Sequence, residues 1–369
     1  MNTELPKLGE LCAMVRGSSP AMKTKPGSYP LVVTAANRRT SNAWQLEGPA
    51  VCIPLISSTG HGHASLSRVH YQEGKFALAN LLVALLPKDP IHCNPKYLYY
   101  ELMAKKNELL VPLMRGTANV SLKEVDIARV EVHLPSPAVQ EATVAKIEHL
   151  ERTAFEAHVA HADIDEISAQ LLAAAFDETT EGAHEQKMGE IAPLVRRPVA
   201  VEDDRYYPEL GVRSFGKGTF HKEPILGRDL GTKRLFQIEP GDVVFNNVFA
   251  WEGAVAVADV DDAGRFGSHR FITCVPRQGI ISPHFLCYYF LTPLGLQQLG
   301  EASPGGAGRN RTLGLTALAE VSVPVPEFSK LLHFEELYRT VRSFNRIHLE
   351  QVSELESLLP SVLSKAFAG

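Results

Sequence analysis

The chain contains one sequence pattern twice. Lys7-Leu8-Gly9-Glu10-Leu11 returns 180 residues later as Lys187-Met188-Gly189-Glu190-Ile191. A second match, at a constant offset of 191 residues, aligns residues 119–176 with residues 310–367. Self-similarity over so long a period indicates a duplicated domain rather than a solenoid of short repeats. We therefore expect two related units.

Between these matches the two halves keep their glycine and proline landmarks but differ in polar residues. Asn37-Arg38-Arg39 and Ser57-Ser58-Thr59 of the first half have no counterpart in the second half, which has Gly216-Lys217-Gly218-Thr219-Phe220 and Asn246-Asn247 instead. Loops tolerate such changes while the framework between them persists. A common framework with divergent surfaces suits a protein that does one job at two places.

A long helix is predicted at the end of each half. Apolar residues recur at three- and four-residue spacing over residues 139–176 and again over 334–367, where Pro360 interrupts only the last turns. About 38 residues would form a rod of roughly 55–60 Å. The two apolar stripes are expected to pack antiparallel in a coiled-coil-like seam, with the globular parts at opposite ends and related by a pseudo-twofold. The alternative is that each helix only caps the core of its own domain.

The rest of each half mixes short strands with helices. Residues 50–55, 242–245 and 271–275 have the pattern of strands, whereas residues 95–106 and 283–299 have the pattern of helices. The predicted fold class is α+β, with two pseudo-repeated domains joined by two long antiparallel helices that form a coiled-coil-like spacer. The expected boundaries are residues 1–134 (first domain), 135–178 (central helix), 179–325 (second domain) and 326–369 (C-terminal helix).

Composition agrees with a two-domain chain in the cytoplasm. The 369 residues, 45% of them hydrophobic, suffice for two cores. Neither a signal peptide nor a run of about 18 apolar residues is visible, so no membrane partner is expected. The five cysteines lack C-x-x-C spacing and are predicted to be small core residues rather than disulfide or zinc sites.

Charge is unevenly distributed along the chain. The net charge is -5, but residues 131–186 alone carry 12 acidic and 2 basic side chains, whereas residues 1–130 carry 9 acidic and 15 basic ones. The negative charge therefore belongs mainly to the central helix. The overall charge does not exclude nucleic-acid binding by the globular parts.

Several motifs resemble the specificity (S) subunits of type I restriction-modification systems. Besides the Lys-x-Gly-Glu start of each half, they are Gly116-Thr117-Ala118-Asn119-Val120-Ser121-Leu122, Lys222-Glu223-Pro224-Ile225-Leu226-Gly227, Ile238-Glu239-Pro240-Gly241-Asp242-Val243 and Phe249-Ala250-Trp251-Glu252-Gly253. The resemblance covers essentially the whole chain. One departure is Pro326-Glu327-Phe328-Ser329-Lys330, which lacks the acidic-Gln run that usually precedes the helix.

The resemblance implies a division of labour with other subunits. The globular parts would be target recognition domains 1 and 2, each reading one half of a bipartite asymmetric site in double-stranded DNA. The helices would set the spacing of the half-sites and hold two methyltransferase (modification) subunits, with restriction/translocase subunits completing the complex. On this reading the chain is not an enzyme and needs neither a cofactor nor a metal.

The absence of catalytic motifs agrees with that reading. The sequence has no Asn-Pro-Pro-Tyr or Asp-Pro-Pro-Tyr tetrapeptide, no glycine-rich cofactor loop after a strand and no Walker motif. Two other classes stay open. One is an autonomous metal-dependent nuclease that uses unrecognised carboxylates, and the other is a paired-domain adaptor that binds proteins.

Candidate DNA-binding residues are basic or small and polar, because such side chains bind phosphates and base edges. For any one of them a solvated surface position is the alternative. Residues 37–39 and 309–311 are the favoured clusters, and Asn246 and Asn247 the least favoured positions. The candidates are Lys23, Lys25, Asn37, Arg38, Arg39, Ser57, Ser58, His61, His63, Arg68 and Lys75 in the first half, and Arg213, Lys217, Lys222, Lys233, Arg234, Asn246, Asn247, Arg265, His269, Arg270, Arg309, Asn310 and Arg311 in the second.

Two further motifs are given structural interpretations. His61-Gly62-His63 lacks a nearby Cys or carboxylate partner and is read as a loop rather than a metal site. One role for Trp251 is stacking on an extruded base, but a Phe-x-Trp pattern in a β context is more typical of a core.

Overall fold

The structure is a computed structural model that describes residues 5–59, 62–306 and 311–368. The chain forms two compact units, one made of Met1–His161 with His348–Gly369 and the other of Ala162–Ile347. Each unit therefore contains one globular domain together with a part of both long helices.

The first half of the chain begins with a short helix and ends in the first long helix. In chain order its elements are α1 (Leu8–Leu11), β1 (Cys12–Arg16), β2 (Tyr29–Val32), β3 (Arg39–Ser41), β4 (Leu46–Glu47), β5 (Ala50–Pro54), β6 (His70–Gln72), β7 (Lys75–Leu78), β8 (Leu82–Pro87), α2 (Pro95–Leu109), α3 (Glu124–Ile127) and α4 (Pro137–Thr180).

Two sheets form the body of the first domain. One is antiparallel with the order β1-β8-β5-β6, and the other has the order β3-β2-β7-β4 with β2 and β7 parallel. Strand β5 is buried along its whole length because it serves two cores. Val51 and Ile53 pack in the cluster that contains α2, whereas Ala50 and Cys52 point the other way, into the cluster around Phe76.

The second half begins with a short strand and ends in the second long helix. In chain order its elements are β9 (His184–Lys187), α5 (Met188–Ile191), β10 (Tyr206–Tyr207), β11 (Leu210–Val212), β12 (Thr219–His221), β13 (Ile225–Leu226), β14 (Leu235–Gln237), β15 (Val243–Asn246), β16 (Val255–Val257), β17 (Phe266–Ser268), β18 (Phe271–Cys274), α6 (Pro283–Leu291), α7 (Pro293–Glu301), α8 (Leu315–Ala319), β19 (Ser322–Val325) and α9 (Phe328–Ala366).

The core of the second domain lies between the antiparallel sheet β16-β15-β18 and helix α6. The strands predicted over residues 242–245 and 271–275 are confirmed as β15 and β18. Residues 283–299, which were predicted to be helical, form two helices, α6 and α7. Pro293 cannot donate the hydrogen bond that would continue α6, and Thr292 caps the new helix by accepting from Gly295 N at 3.2 Å.

Helix α4 is longer than predicted at both ends, and α9 begins earlier than predicted. Helix α4 begins before residue 139 and ends after residue 176, and α9 begins at Phe328 and continues through Pro360. A mixed α and β content with a long helix therefore agrees with the predicted fold class. None of the helices in the described ranges is long and apolar enough to cross a membrane. All five cysteines are buried and unpaired, as expected for core residues.

The two long helices run antiparallel inside each unit. In the first unit Ile147 of α4 shares a cluster with Phe367, which follows α9, and His158 lies 3.9 Å from Glu356. In the second unit Ser168 donates to Asn345 at 3.0 Å. The partner number falls as the number along α4 rises, which is the signature of an antiparallel pair.

Corresponding backbone contacts occur in the two units. Leu8 N donates to Val130 O at 2.9 Å, and Met188 N donates to Val321 O at 2.8 Å. The donors are 180 residues apart and the acceptors 191 residues apart, which are the two offsets found in the sequence. The start of each half is therefore tied in the same way to the segment that leads to its long helix.

The glycine of each Lys-x-Gly-Glu motif allows the two hydrogen-bonded segments to approach each other closely. A Cβ atom on Gly9 would lie 3.0 Å from the Cβ of Ala128, and one on Gly189 would lie 3.0 Å from the Cβ of Ala319. Contacts so short are tighter than ordinary packing allows, so a larger residue would push the two segments apart.

Candidate nucleic-acid interface

Three of the predicted cations of the first domain lie together around a turn. Residues 20–26 form a turn in which Thr24 Oγ1 donates to Pro20 O at 2.8 Å. Arg39 of β3 donates to the carbonyl of residue 21 at 2.9 Å, and residue 42 donates to Lys25 O at 3.0 Å. Lys23, Lys25 and Arg39 are exposed. The turn therefore presents a small cationic surface of fixed shape.

Arg38, by contrast, is engaged inside the first domain. Its Nε donates to Gln72 at 3.1 Å, its Nη2 donates to Tyr71 O at 3.0 Å, and its Nη1 lies 3.0 Å from His70 Nδ1. Burial, with the nearby charges of Arg38 and Arg68, lowers the pKa of His70 to about 4. His70 is therefore neutral at pH 7 and accepts from Arg38. This guanidinium holds the loop after β2 against β6.

The serines of the loop after β5 also bond within the loop. Ser57 Oγ donates to His63 O at 2.5 Å, and Ser58 Oγ accepts from Ser67 N at 2.9 Å. Among the other candidates Asn37 and His63 are exposed, Arg68 is half-buried, and His61 lies outside the described residues. The hydroxyls fix the shape of the loop.

Two of the predicted cations of the second domain pair with a buried carboxylate. The Glu209 side chain is fully buried, and Lys233 Nζ lies 2.6 Å from its Oε2, while Lys222 Nζ lies 3.9 Å away. Arg213 stacks 4.8 Å from the ring centroid of Phe220 and donates to the carbonyl of residue 219 at 2.7 Å. Burying a carboxylate is costly unless it is paired, so the two lysines stabilise the buried charge of Glu209.

The remaining candidates of this domain are exposed or half-buried, and two of them lie at one end of the central sheet. Lys217 and Arg234 are exposed and Arg265 is half-buried. His269 and Arg270 form the turn before β18 and are exposed. Lys75 in the first domain is exposed as well, stacked 4.9 Å from the ring of Trp44.

The end of strand β15 gathers residues from three segments of the second domain. Asn247 N donates to Arg270 O at 2.8 Å, and Leu313 N donates to Asn247 O at 2.8 Å. The guanidinium of Arg311 stacks 5.2 Å from the ring centroid of Trp251. We call Asn247, Trp251, His269, Arg270 and Arg311 the sheet-end cluster.

Two residues of the sheet-end cluster differ from what the sequence predicted for them. Asn247 was among the least favoured candidates, but its backbone joins the segments that carry Arg270 and Arg311. Trp251 was expected in the core, yet it is half-buried and its ring supports Arg311. Of the favoured residues 309–311, Arg309 and Asn310 lie outside the described residues.

The residue after β5 in the first domain makes the same pair of backbone hydrogen bonds as Asn247 does after β15, and we call this pair the backbone frame. The side chains on it differ between the two domains. Leu55 N donates to Leu81 O at 2.8 Å, and Leu122 N donates to Leu55 O at 2.9 Å. Leu55 thus occupies the place of Asn247, and Leu81, which is 37% exposed, occupies the place of Arg270. The same arrangement therefore holds a buried and an exposed leucine in the first domain, and a half-buried asparagine and an exposed arginine in the second.

These features define a class of protein: two mixed α and β domains with related frameworks and different surfaces, joined by a long helix. Residues 2–161 match the family model described as "Type I restriction modification DNA specificity domain". The first domain and the first part of α4 are therefore similar to such a specificity domain. The resemblance of the chain to type I specificity subunits is confirmed.

Solved structures show a similar fold over the full length. The S subunit of a type I restriction-modification system from M. genitalium matches with a TM-score of 0.60 at 14% identity, covering 100% of this chain and 97% of that one. The HsdS subunit from Thermoanaerobacter tengcongensis matches with 0.50 at 16% identity, covering 98% and 96%. A chain from a study of complex assembly and conformational transition of the type I R-M system matches with 0.55 at 16% identity, covering 99% and 98%. No curated protein matches the chain.

Proposed function

We propose that this chain is the non-catalytic DNA-recognition subunit of a type I restriction-modification complex. Residues 1–134 and 179–325 are target recognition domains 1 and 2, and each reads one half of a bipartite, asymmetric site in double-stranded DNA. The observation that carries this proposal is the backbone frame shared by Leu55 and Asn247, which holds different side chains in the two domains. An asymmetric site needs such a pair, with one docking geometry and two sets of base contacts.

The two domains descend in this proposal from one duplicated unit. The corresponding backbone hydrogen bonds of Leu8 N and Met188 N support a duplication. The antiparallel helix segments found in each unit support it as well. Residues 135–178 and 326–369 then form the coiled-coil-like spacer that sets the distance between the half-sites. A pseudo-twofold relation between the two halves would present two equivalent surfaces to partners.

The partners that we propose are two methyltransferase subunits and, with them, the restriction/translocase subunits. The long helices expose large apolar residues, among them Phe155 (68% exposed), Ile167 (63%) and Leu349 (56%). Exposed apolar surface of this kind is typical of protein interfaces. The chain contributes binding energy for the cognate DNA, and the chemistry belongs to the partners.

DNA contact is proposed for basic residues, histidines included, that are exposed or half-buried. In the first domain they are Lys23, Lys25, Arg39, His63, Arg68 and Lys75, and in the second domain Lys217, Arg234, Arg265, His269, Arg270 and Arg311. The inward-bonded side chains of Arg38, Ser57, Ser58, Arg213, Lys222 and Lys233 are proposed to shape the loops between these contacts. Phosphate contacts would make the affinity fall steeply with salt concentration.

A methylome tests the proposal. The chain is co-expressed with the methyltransferase encoded next to it in a host free of DNA methylation, and modified bases are mapped by long-read sequencing. We expect one split motif that disappears when the chain is omitted. Exchanging residues 1–134 for those of a related subunit should change one half-site and leave the other unchanged. Metal-dependent DNA cleavage by the purified chain would instead favour a nuclease, and the lack of any salt-dependent affinity for DNA would favour the adaptor.

The spacer is tested by shortening it. Removing one turn, roughly four residues, from α4 near His158 and one from α9 near Glu356 keeps the two helix segments matched. One turn rises about 5.4 Å and DNA about 3.4 Å per base pair, so the gap between the half-sites should shrink by about one or two base pairs. The methylome should show unchanged half-site sequences. Altered half-sites with an unchanged gap would contradict the spacer role.

A further inference from the structure

We propose that Arg311 reads a guanine in the second half-site and that Trp251 holds its guanidinium in place for that contact. The proposal rests on the proposed function, in which residues 179–325 recognise DNA. The proposed function names only the residues of a DNA-binding surface. The present proposal names one side chain that reads a base and the base that it reads.

Trp251 is a fixed platform. It lies in a short 3-10 turn, Ala250–Glu252, that ends at Gly253 in the left-handed conformation with φ of 75°. Its indole Nε1 donates to Val248 O at 3.0 Å. A ring held by both its backbone turn and its own hydrogen bond can orient a guanidinium that stacks on it, as Arg311 does at 5.2 Å.

The guanidinium of Arg311 keeps its donors available. Arg311 is exposed, and within the described ranges its guanidinium makes no hydrogen bond or ion pair. Arg213 shows the contrast, because it also stacks on an aromatic ring but donates to the carbonyl of Thr219 at 2.7 Å. A planar group with a fixed face and a free edge is what two parallel hydrogen bonds to one partner require.

Guanine is the base that such an edge recognises. In the major groove guanine presents two adjacent acceptors, O6 and N7, and arginine bound to both is the commonest specific contact in protein-DNA complexes. A phosphate is the competing partner of any arginine. Phosphates are bound equally well by flexible lysines, whereas stacking restrains the arginine in one plane and so favours a contact of fixed direction.

The surroundings of Arg311 suit a base contact flanked by phosphate contacts. A crevice of about 500 Å³ next to it has Trp251, Gln297, Glu301 and Ser303 in its lining, and leaves room for a base edge or for bridging water. Glu301 accepts from Gln297 Nε2 at 2.9 Å. The Ser303 side chain is 2% exposed, and its hydroxyl has no partner within the described part of the chain. Arg270, joined to the same segment through Asn247, is placed to bind a neighbouring phosphate.

The test uses the chain in complex with its methyltransferase subunit and a set of duplexes. Each base pair of the second half-site is replaced in turn, and the affinity is measured by competition at fixed salt. For the wild type we expect one G·C position at which replacement weakens binding about tenfold to hundredfold. In Arg311→Lys and Arg311→Ala that position should lose its preference, while preferences at the other positions and in the first half-site persist.

A matched control is Arg196→Ala. Arg196 is also exposed and stacked on an aromatic ring, 5.0 Å from the ring centroid of Phe236, but it lies near the start of β15 rather than its end. Its loss should leave every base preference unchanged. Trp251→Leu should weaken the preference at the same G·C position as Arg311→Ala, because the guanidinium then loses its platform.

Two results would overturn the proposal. One is a uniform loss of affinity in Arg311→Ala with all base preferences intact and a shallower salt dependence, which identifies a phosphate contact. The other is an unchanged profile in both Arg311 variants. A wild-type complex that binds DNA without any sequence preference refutes the proposed function itself, so the two failures are distinguishable.

Discussion

Replacing Phe176 by alanine should destabilise the second unit by about 3–5 kcal/mol, the usual cost of removing a buried phenylalanine. Phe176 lies near the end of α4 and is 9% exposed. Its ring centroid is 5.1 Å from that of Phe285, 5.2 Å from that of Tyr288 and 5.9 Å from that of Phe334. The substitution would open a cavity among aromatic rings that cannot collapse without moving α6 or α9.

Phe367 has the corresponding place in the first unit, 191 residues later. Its ring centroid lies 5.2 Å from that of Tyr97 on α2, and Val144 and Ile147 of α4 share the cluster. Phe367→Ala should therefore destabilise the first unit. We expect a loss of about 3 kcal/mol, at the lower end of the range, because Phe367 contacts fewer aromatic rings than Phe176.

Hydrogen exchange of the full chain, followed by mass spectrometry, measures each unit separately. Phe176→Ala should lower protection in residues 162–347, and Phe367→Ala should lower it in residues 1–161. The control is Phe155→Ala on an exposed face of α4, which should change stability by less than about 0.5 kcal/mol. Equal losses in both units from either substitution would contradict the separate anchoring of the two helix ends.

These two phenylalanines illustrate what the sequence could predict. Their offset of 191 residues and the apolar stripes that lead to them predicted two long helices with equivalent ends. The residues that they pack against could not be predicted from the sequence. Phe176, for example, follows the first domain along the chain but packs against Phe285 of the second. A periodic pattern shows that a face is buried and does not identify the surface that buries it.

In the candidate interface, too, the sequence predicted residue types but not the contacts that they make. Composition selected Arg38 and Arg311 alike as DNA-binding residues. Burial and four hydrogen-bonding partners engage Arg38, whereas the guanidinium of Arg311 stacks on Trp251 and makes no hydrogen bond to the residues that the structure describes. Trp251 and Arg311 are 60 residues apart in sequence and meet only because strand β15 and the segment around Leu313 are adjacent. Residue type predicted possible chemistry, and tertiary packing determines which groups are available for it.

Stability of the first unit should fall as the pH rises from about 4.5 to about 7, because of Glu101 on α2. Its side chain is 1% exposed, its Oε1 accepts from His133 N at 2.9 Å, and its Oε2 has no partner among the residues that the structure describes. Burial raises the pKa of Glu101 to about 7, from 4.5 in an exposed glutamate. Over this interval the folded chain binds the proton and the unfolded chain has lost it. The linked loss is about 3 kcal/mol.

Glu101→Gln isolates this contribution, since glutamine keeps the acceptor for His133 N and does not titrate. Urea unfolding of both proteins at pH 5 and pH 8 gives their difference in unfolding free energy, in which the other titrating groups cancel. The difference should move in favour of the variant by about 2–3 kcal/mol between pH 5 and pH 8. Glu141→Gln, on the exposed face of α4, should change stability by less than about 0.5 kcal/mol. A difference for Glu101→Gln that stays constant with pH would show that this carboxyl is ionised in the folded chain throughout. The link between α2 and the segment leading into α4 would then contain a stable buried charge.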